Sequence, residues 1–133
     1  MAWLSGLPID HAVGVTELRG GAVAGEERAR DFLSRKLSRY ADDRNQPAQD
    51  ATSGLSPYLH FGHVSVHEVV AALIERESWH EGHLALKATG SRSGWWGMSE
   101  PAEAFLDELI TWREVGYAYT FHRPRDYDRY ESL

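Results

Sequence analysis

The chain has 133 residues, no cysteine, and 14 Lys+Arg against 20 Asp+Glu, for a formal net charge of −6. That length fits one ordinary domain, and the absence of thiols excludes a disulfide scaffold, a Cys-ligated zinc, an iron–sulfur cluster and a cysteine nucleophile. The acidic balance argues against a surface that is basic all over, yet it leaves room for a local basic face.

At the N-terminus no basic region precedes an apolar run, so no signal peptide is read, and a cytoplasmic chain is expected. Residues 1–25 read as a linker. Leu7-Pro8-Ile9-Asp10 and Gly20-Gly21 break any helical period, and Gly14 and Gly25 add freedom. From Glu26 to about Ala41 the spacing predicts a helix, with Phe32, Leu33, Leu37 and Tyr40 on one stripe and Arg28, Arg30, Arg35, Lys36 and Arg39 elsewhere. Arg44-Asn45-Gln46-Pro47 ends it.

In Thr52-Ser53-Gly54-Leu55-Ser56-Pro57, Ser56 suits an N-cap and Pro57 the first helical position, where its missing N–H costs nothing. A short helix over Tyr58 to Phe61 then stops at Gly62. Ser65-Val66-His67-Glu68 is a capping box, and Val66, Val69, Val70, Leu73 and Ile74 continue it as an amphipathic helix to about Arg76. The run Val69 to Ile74 is among the longest apolar ones and is far too short for a bilayer. His80 to Ala88 reads as a short helix and Ser91 to Gly94 as a loop before Trp95-Trp96. The last helix starts at Ser99-Glu100-Pro101 and runs to about Tyr119, with Ala102, Phe105, Leu106, Leu109 and Ile110 as its stripe and Arg113 continuing it. Phe121 to Leu133 is aromatic and charged without period. No strand competes with these helices, so the fold class is all-α.

Two segments could carry chemistry. Hydroxyls and a glycine in Thr52 to Ser56, directly ahead of a helix, suit an anion such as a phosphate, although an ordinary N-cap with a glycine turn has the same pattern. In Glu108-Leu109-Ile110-Thr111-Trp112-Arg113-Glu114, Arg113 follows Leu109 by one turn and so points toward a face that should be buried, where it needs a partner. That segment reads either as a structural ion pair with a packing Trp or as the wall of a pocket for a planar polar ligand. The pairs His63/His67 and His80/His83 lack a third ligand, so no metal site is expected. No Walker loop, GxSxG or dinucleotide GxGxxG occurs.

Taken together, these segments resemble the flavin-binding domain of the DNA photolyase/cryptochrome family. Gly20-Gly21, the helix with Phe32-Leu33 and Lys36-Leu37, Tyr40 and Arg44-Asn45-Gln46-Pro47 resemble the entry into that domain. Thr52-Ser53-Gly54-Leu55-Ser56-Pro57-Tyr58-Leu59-His60-Phe61-Gly62-His63-Val64-Ser65 is similar to the family's TSxLSPYLxxGxxS motif. Phe105 to Glu114 looks like its FLxELxWRE motif, and Tyr127 to Leu133 fits the tail that follows.

The resemblance implies FAD as cofactor and DNA carrying a pyrimidine dimer as substrate. It implies that Tyr40 contacts the phosphate side of FAD, and that Thr52, Ser53, Gly54, Leu55 and Ser56 hold the diphosphate and ribityl. Phe105, Glu108 and Arg113 would line the flavin pocket. Glu108 and Trp112 would be the catalytic pair, the first hydrogen-bonding the damaged base and the second stacking on the flipped-out dimer. The family's chemistry is light-driven electron transfer from reduced FAD to the dimer.

Thr111 is an extra residue against the commonest ELIWRE spacing and brings the motif closer to the ELxxRRE-like branch. In an α-helix it would turn Trp112 and Arg113 by about 100° relative to Glu108. No counterpart of the family's antenna domain or of its later pocket helices is visible. The resemblance therefore implies an interdomain linker over 1–25 and the N-terminal half of the FAD-binding domain over 26–133. Apolar stripes such as Ala102–Ile110 are then expected to lack partners. Two other readings stand beside repair: a truncated, non-catalytic remnant with weak or no flavin affinity, and a cryptochrome-like photoreceptor piece.

Overall fold

The structure, a computed structural model, describes residues 3–129; the end of the tail, Tyr130 to Leu133, lies outside the described residues. The described residues hold helices and turns and no strand. The chain is helical without a break from Ala22 to Asp43: α1 (Ala22–Asp31), a π-helical turn (Phe32–Lys36), a 3-10 turn (Leu37–Arg39) and α2 (Tyr40–Asp43). A second unbroken run comprises α5 (Glu100–Leu106), a π-helical turn (Asp107–Thr111) and α6 (Trp112–His122). Between them lie α3 (Ser56–His60) and α4 (Val66–Arg76).

The first helix starts at Ala22, four positions before the Glu26 that side-chain periodicity indicates. Glycine at 25 does not loosen it. Gly25 is buried where α1 meets Tyr58 and Val64, and an added Cβ there would collide with the Val64 methyl and lie 3.1 Å from the Tyr58 ring. The close approach needs hydrogen at that position more than it needs helix propensity. The segment just ahead is tied down as well. The Tyr58 hydroxyl donates to the Arg19 carbonyl at 2.7 Å, and the Gly21 N–H donates to His63 Nδ1 at 3.1 Å. Residues 3–18 carry one 3-10 turn, Leu4–Gly6, and none of them is buried.

α4 begins as its sequence signature says. Ser65 accepts from the Glu68 N–H at 3.1 Å, and the Glu68 carboxylate accepts from the Ser65 N–H at 2.7 Å. These bonds satisfy two of the backbone donors that a helix start otherwise leaves orphaned. The other side of the helix delivers Val69 and Leu73 to the core.

The core lies where the two long helical runs pack directly on each other, with α4 against the first of them. Phe32, Leu37, Leu55, Val69, Leu73, Ala102, Phe105 and Leu106 are buried there. Phe32, Tyr40 and Phe105 form an aromatic triangle, with centroids 4.7 Å apart for Phe32–Phe105 and 5.5 Å for each contact with Tyr40. The Tyr40 contacts are edge-on, the arrangement that ring quadrupoles favour. Full burial of a Leu or Phe side chain contributes about 1.5–3 kcal/mol, so this cluster is the principal stabiliser of the fold.

The Ala102–Ile110 stripe does not lack partners. Ala102, Phe105, Leu106 and Leu109 all lie in the core, because α2 and the turns that lead into it cover this side of α5. Uncovered apolar surface occurs one element later. Trp112, Val115, Tyr117 and Phe121 on α6 are exposed, and no residue of α6 is buried.

Residues 77–99 form a loop organised around two tryptophans and a carboxylate. In place of a helix over 80–88 there is a single 3-10 turn, Glu81–His83. Trp79 Nε1 donates to the Trp96 carbonyl at 2.6 Å, and the two rings meet edge-on at 6.0 Å. Glu103, 4% exposed, receives the N–H groups of Gly94, Gly97 (2.8 Å) and Met98 (3.3 Å). Gly97 sits at φ +66°, and a Cβ there would strike the His83 carbonyl oxygen. Thus two of the chain's five tryptophans, Trp79 and Trp96, are structural and close this loop onto the start of α5.

Candidate functional site

Three groups of residues singled out by sequence have distinct settings. The first is built on Tyr40. Its ring is buried against Phe32 and Phe105, and the Arg44 guanidinium lies 5.6 Å above the ring centre. Arg44 also reaches Glu108, at 4.0 Å, and donates to the Ala104 carbonyl at 3.4 Å. Burial, and then the Glu108 charge, raise the Tyr40 phenol above its ordinary value of 10.0, while Arg44 opposes them. Phe105 and Glu108 therefore meet Tyr40 across the joint between α2 and α5, and Arg44 is the residue that joins them. In the sequence Arg44 stands out only as part of a helix stop. Its position four residues after Tyr40, on the same helical face, is the signal that could have found it.

The second group is the loop Thr52–Ser56. Thr52 and Ser56 are exposed, Leu55 is buried as an anchor, and Gly54 takes φ +65°. Ser56 is not the side-chain cap expected of it. It is the first residue of α3, and Ser53 Oγ instead accepts from the Leu55 N–H at 3.3 Å. The Thr52 and Ser56 hydroxyls make no hydrogen bond among the described residues. One cation packs on the loop, and two more hold the chain just ahead of it. The Arg28 side chain packs on Gly54, where an added Cβ would lie 3.4 Å from its guanidinium carbon. Lys36 meets Asp50 at 2.6 Å, and Arg39 donates to the Gln49 carbonyl at 3.1 Å. The basic residues of the first helix are thus not one open face: Arg35 pairs with Asp31 and Arg39 with Asp43 as well.

The third group lies around the second π-turn. The Trp112 N–H donates to the Asp107 carbonyl, a bond spanning five residues. A turn of this kind absorbs one extra residue, so the helix beyond it keeps the facing it would have without Thr111. The 100° rotation expected of an uninterrupted α-helix therefore does not arise. Trp112 is 49% exposed, and the Arg92 guanidinium lies 5.7 Å over its ring. Arg113 is exposed too, not directed into the core. It donates to the Tyr117 hydroxyl at 3.0 Å and lies 5.2 Å over that ring. The reason is that α6 has no packed neighbour on that face, so the position that continues the Leu109 stripe remains in solvent. Arg113 lines a groove of about 680 Å³ against α4, with Val70, Ile74 and Ile110. Glu108 reaches away from it, to Arg44.

His80 and His83 stack at 4.0 Å, but among the described residues no three His, Cys, Asp or Glu side chains gather as a metal site. No helix among the described residues is long and apolar enough to cross a membrane.

No protein-family model matches the chain. It is similar to the deoxyribodipyrimidine photo-lyase of Oryza sativa subsp. japonica, 34% identical over 103 residues, covering 77% of this chain and 16% of that protein. The enzyme of the same name from Arabidopsis thaliana is 36% identical over 103 residues, with the same 77% and 16% coverage. That of Potorous tridactylus is 27% identical over 129 residues, or 96% of this chain and 21% of that protein. The chain thus spans between 16% and 21% of the length of these relatives. Similarity along most of the chain, together with the helical architecture, makes this a photolyase-like sequence, similar to one stretch of the deoxyribodipyrimidine photo-lyases.

Proposed function

We propose that the chain is the N-terminal part of a photolyase FAD-binding domain, and that in the longer protein its residues serve the light-driven repair of pyrimidine dimers in DNA. The observation that carries this reading is the setting of Glu108. Its carboxylate is open to solvent yet held by Arg44 beside the buried Tyr40. The half-exposed ring of Trp112 follows on the same unbroken helical run. A held carboxylate accepts a hydrogen bond from a base edge, and a flat ring takes the stacking that an extruded lesion loses.

The loop at 52–56 fits the phosphate portion of FAD on its own chemistry. It offers two hydroxyls without partners, a glycine backbone at positive φ and a neighbouring guanidinium. Reduced FAD, when bound, would supply the electron that splits the dimer and receive it back. The task of the protein is to hold and orient, with Tyr40, Thr52, Ser53, Gly54, Leu55 and Ser56 on the phosphate side and Phe105, Glu108 and Arg113 assigned to the flavin pocket.

A second reading, a helical module without flavin, draws on one observation. The two grooves flanking α4 are lined by neither Thr52–Ser56 nor Glu108. Absorption of the purified chain in the near-ultraviolet and blue, before and after adding FAD and removing the excess, separates the two. A retained flavin spectrum is the expected result, and a colourless protein that takes up no FAD overturns it in favour of the second reading.

A further inference from the structure

We infer that Arg28 is a ligand for the diphosphate of a dinucleotide held at the Thr52–Ser56 loop. This assignment rests on the flavin reading above and adds a residue that the motif does not contain. Arg28 belongs to α1, outside the loop in sequence, yet its guanidinium packs directly on Gly54.

Its charge is uncommitted. The carboxylates that pair along this helical run and just after it are taken by other cations: Asp31 by Arg35 at 3.2 Å, Asp43 by Arg39 at 3.8 Å and Asp50 by Lys36 at 2.6 Å. Among the described residues Arg28 makes no hydrogen bond or ion pair of its own; its charge reaches Asp50 only at a distance, as one of several influences lowering that carboxyl. A half-buried guanidinium without a directly bonded counter-charge is poorly placed for stability. It is well placed for a ligand, because its planar fork matches two phosphate oxygens at once. The Thr52 and Ser56 hydroxyls of the same loop are unbonded as well, and they are neutral donors to the same kind of oxygen. Gly54 suits the close approach: its φ of +65° disfavours any side chain, and an added Cβ would come within van der Waals contact of the guanidinium, at 3.4 Å. Cation and hydroxyls together select a ligand with a diphosphate over the same ring system without one.

The test uses the full 133-residue chain and three probes: FAD, riboflavin and inorganic pyrophosphate. Binding is read by flavin fluorescence quenching and by calorimetry, with thermal unfolding run on each variant. Arg28→Gln is expected to weaken FAD and pyrophosphate on the order of tenfold or more, the scale of a lost charge-assisted contact. Riboflavin should bind Arg28→Gln as it binds the unmodified chain. Arg28→Lys keeps the charge without the fork and should fall between the two. If Arg28→Gln does not fold, the lysine variant alone decides, with severalfold weakening expected.

Unchanged FAD and pyrophosphate affinity in a folded variant overturns the assignment of Arg28 and leaves the flavin reading standing. Equal weakening of riboflavin and FAD also overturns it, since the effect is then structural. Arg28-dependent binding of pyrophosphate without any flavin binding upholds the diphosphate site and overturns the flavin reading. A chain that binds none of the three overturns both.

Discussion

The Arg44 guanidinium stands between the Glu108 carboxylate, 4.0 Å away, and the Tyr40 ring, whose centre is 5.6 Å away. Burial pushes the Tyr40 phenol above 10.0, Glu108 pushes it further, and Arg44 pulls it back. Glu108→Gln should therefore lower the Tyr40 pKa relative to the unmodified chain, and Arg44→Gln should raise it. An alkaline titration of phenolate absorbance reads both shifts. The unfolded chain ionises this phenol near 10.0 while the folded chain still holds the proton. The resulting stability is present below that pH and disappears as pH climbs through the folded value. With both partners partly in solvent, the ion pair itself contributes no more than about 0.5 kcal/mol. Identical titration of Tyr40 in all three proteins would remove the coupling.

Glu103 is the buried carboxylate that closes the tryptophan loop. Glu103→Ala leaves the N–H groups of Gly94, Gly97 and Met98 without their acceptor and should cost about 2–4 kcal/mol. Glu103→Gln turns an amide donor toward one of those donors, with an expected loss of about 1–2 kcal/mol. Urea unfolding followed by tryptophan fluorescence measures both, since Trp95 and Trp96 lie in the affected loop. A midpoint unchanged by Glu103→Ala contradicts the role assigned here.

Deleting Thr111 should convert the second π-turn to α, because the Trp112 N–H would then reach the Asp107 carbonyl across four residues. The helix beyond keeps its facing, so far-ultraviolet circular dichroism should be preserved and stability should change by no more than about 1 kcal/mol. Collapse of the fold on deletion would show that the residues after Thr111 need a different register.

At the start of α4, the Ser65 N–H and hydroxyl hold the Glu68 carboxyl below its usual range. A depressed carboxyl stabilises the fold above its unfolded pKa, and that contribution is lost as pH falls through the folded value. Ser65→Ala should cost about 1 kcal/mol at neutral pH. It should also flatten the acid limb of stability, as read by denaturant midpoints from neutral to acidic pH. An acid limb as steep as in the unmodified chain would sink the assignment.

Local chemistry decides which parts of this molecule were readable in advance. Ser65 and Glu68 identify α4 because a capping box is satisfied within four residues. The Phe32, Leu37 and Tyr40 stripe identifies the first helix because period and burial coincide. The true start at Ala22 was hidden, since it depends on Gly25 meeting Tyr58 and Val64 from far along the chain. Arg113 was misdirected for a related reason: its stripe ends where packing ends, and packing is not written in the period. Among the site residues, Tyr40, Phe105 and Glu108 come together as a group. The Arg44 that links them and the Arg28 beside Gly54 announce themselves only through contacts across the fold. Glu103 carries no motif at all, and only its burial beneath three backbone donors reveals it.

The π-turn at Asp107–Thr111 also governs how relatives should be compared. A one-residue difference in length is confined to a single turn, and correspondence resumes on its far side. Alignments that place the gap within Asp107–Thr111 keep Trp112, Arg113 and Glu114 matched, residue for residue, to their counterparts in shorter homologues. Alignments that displace it transfer roles to the wrong side chains.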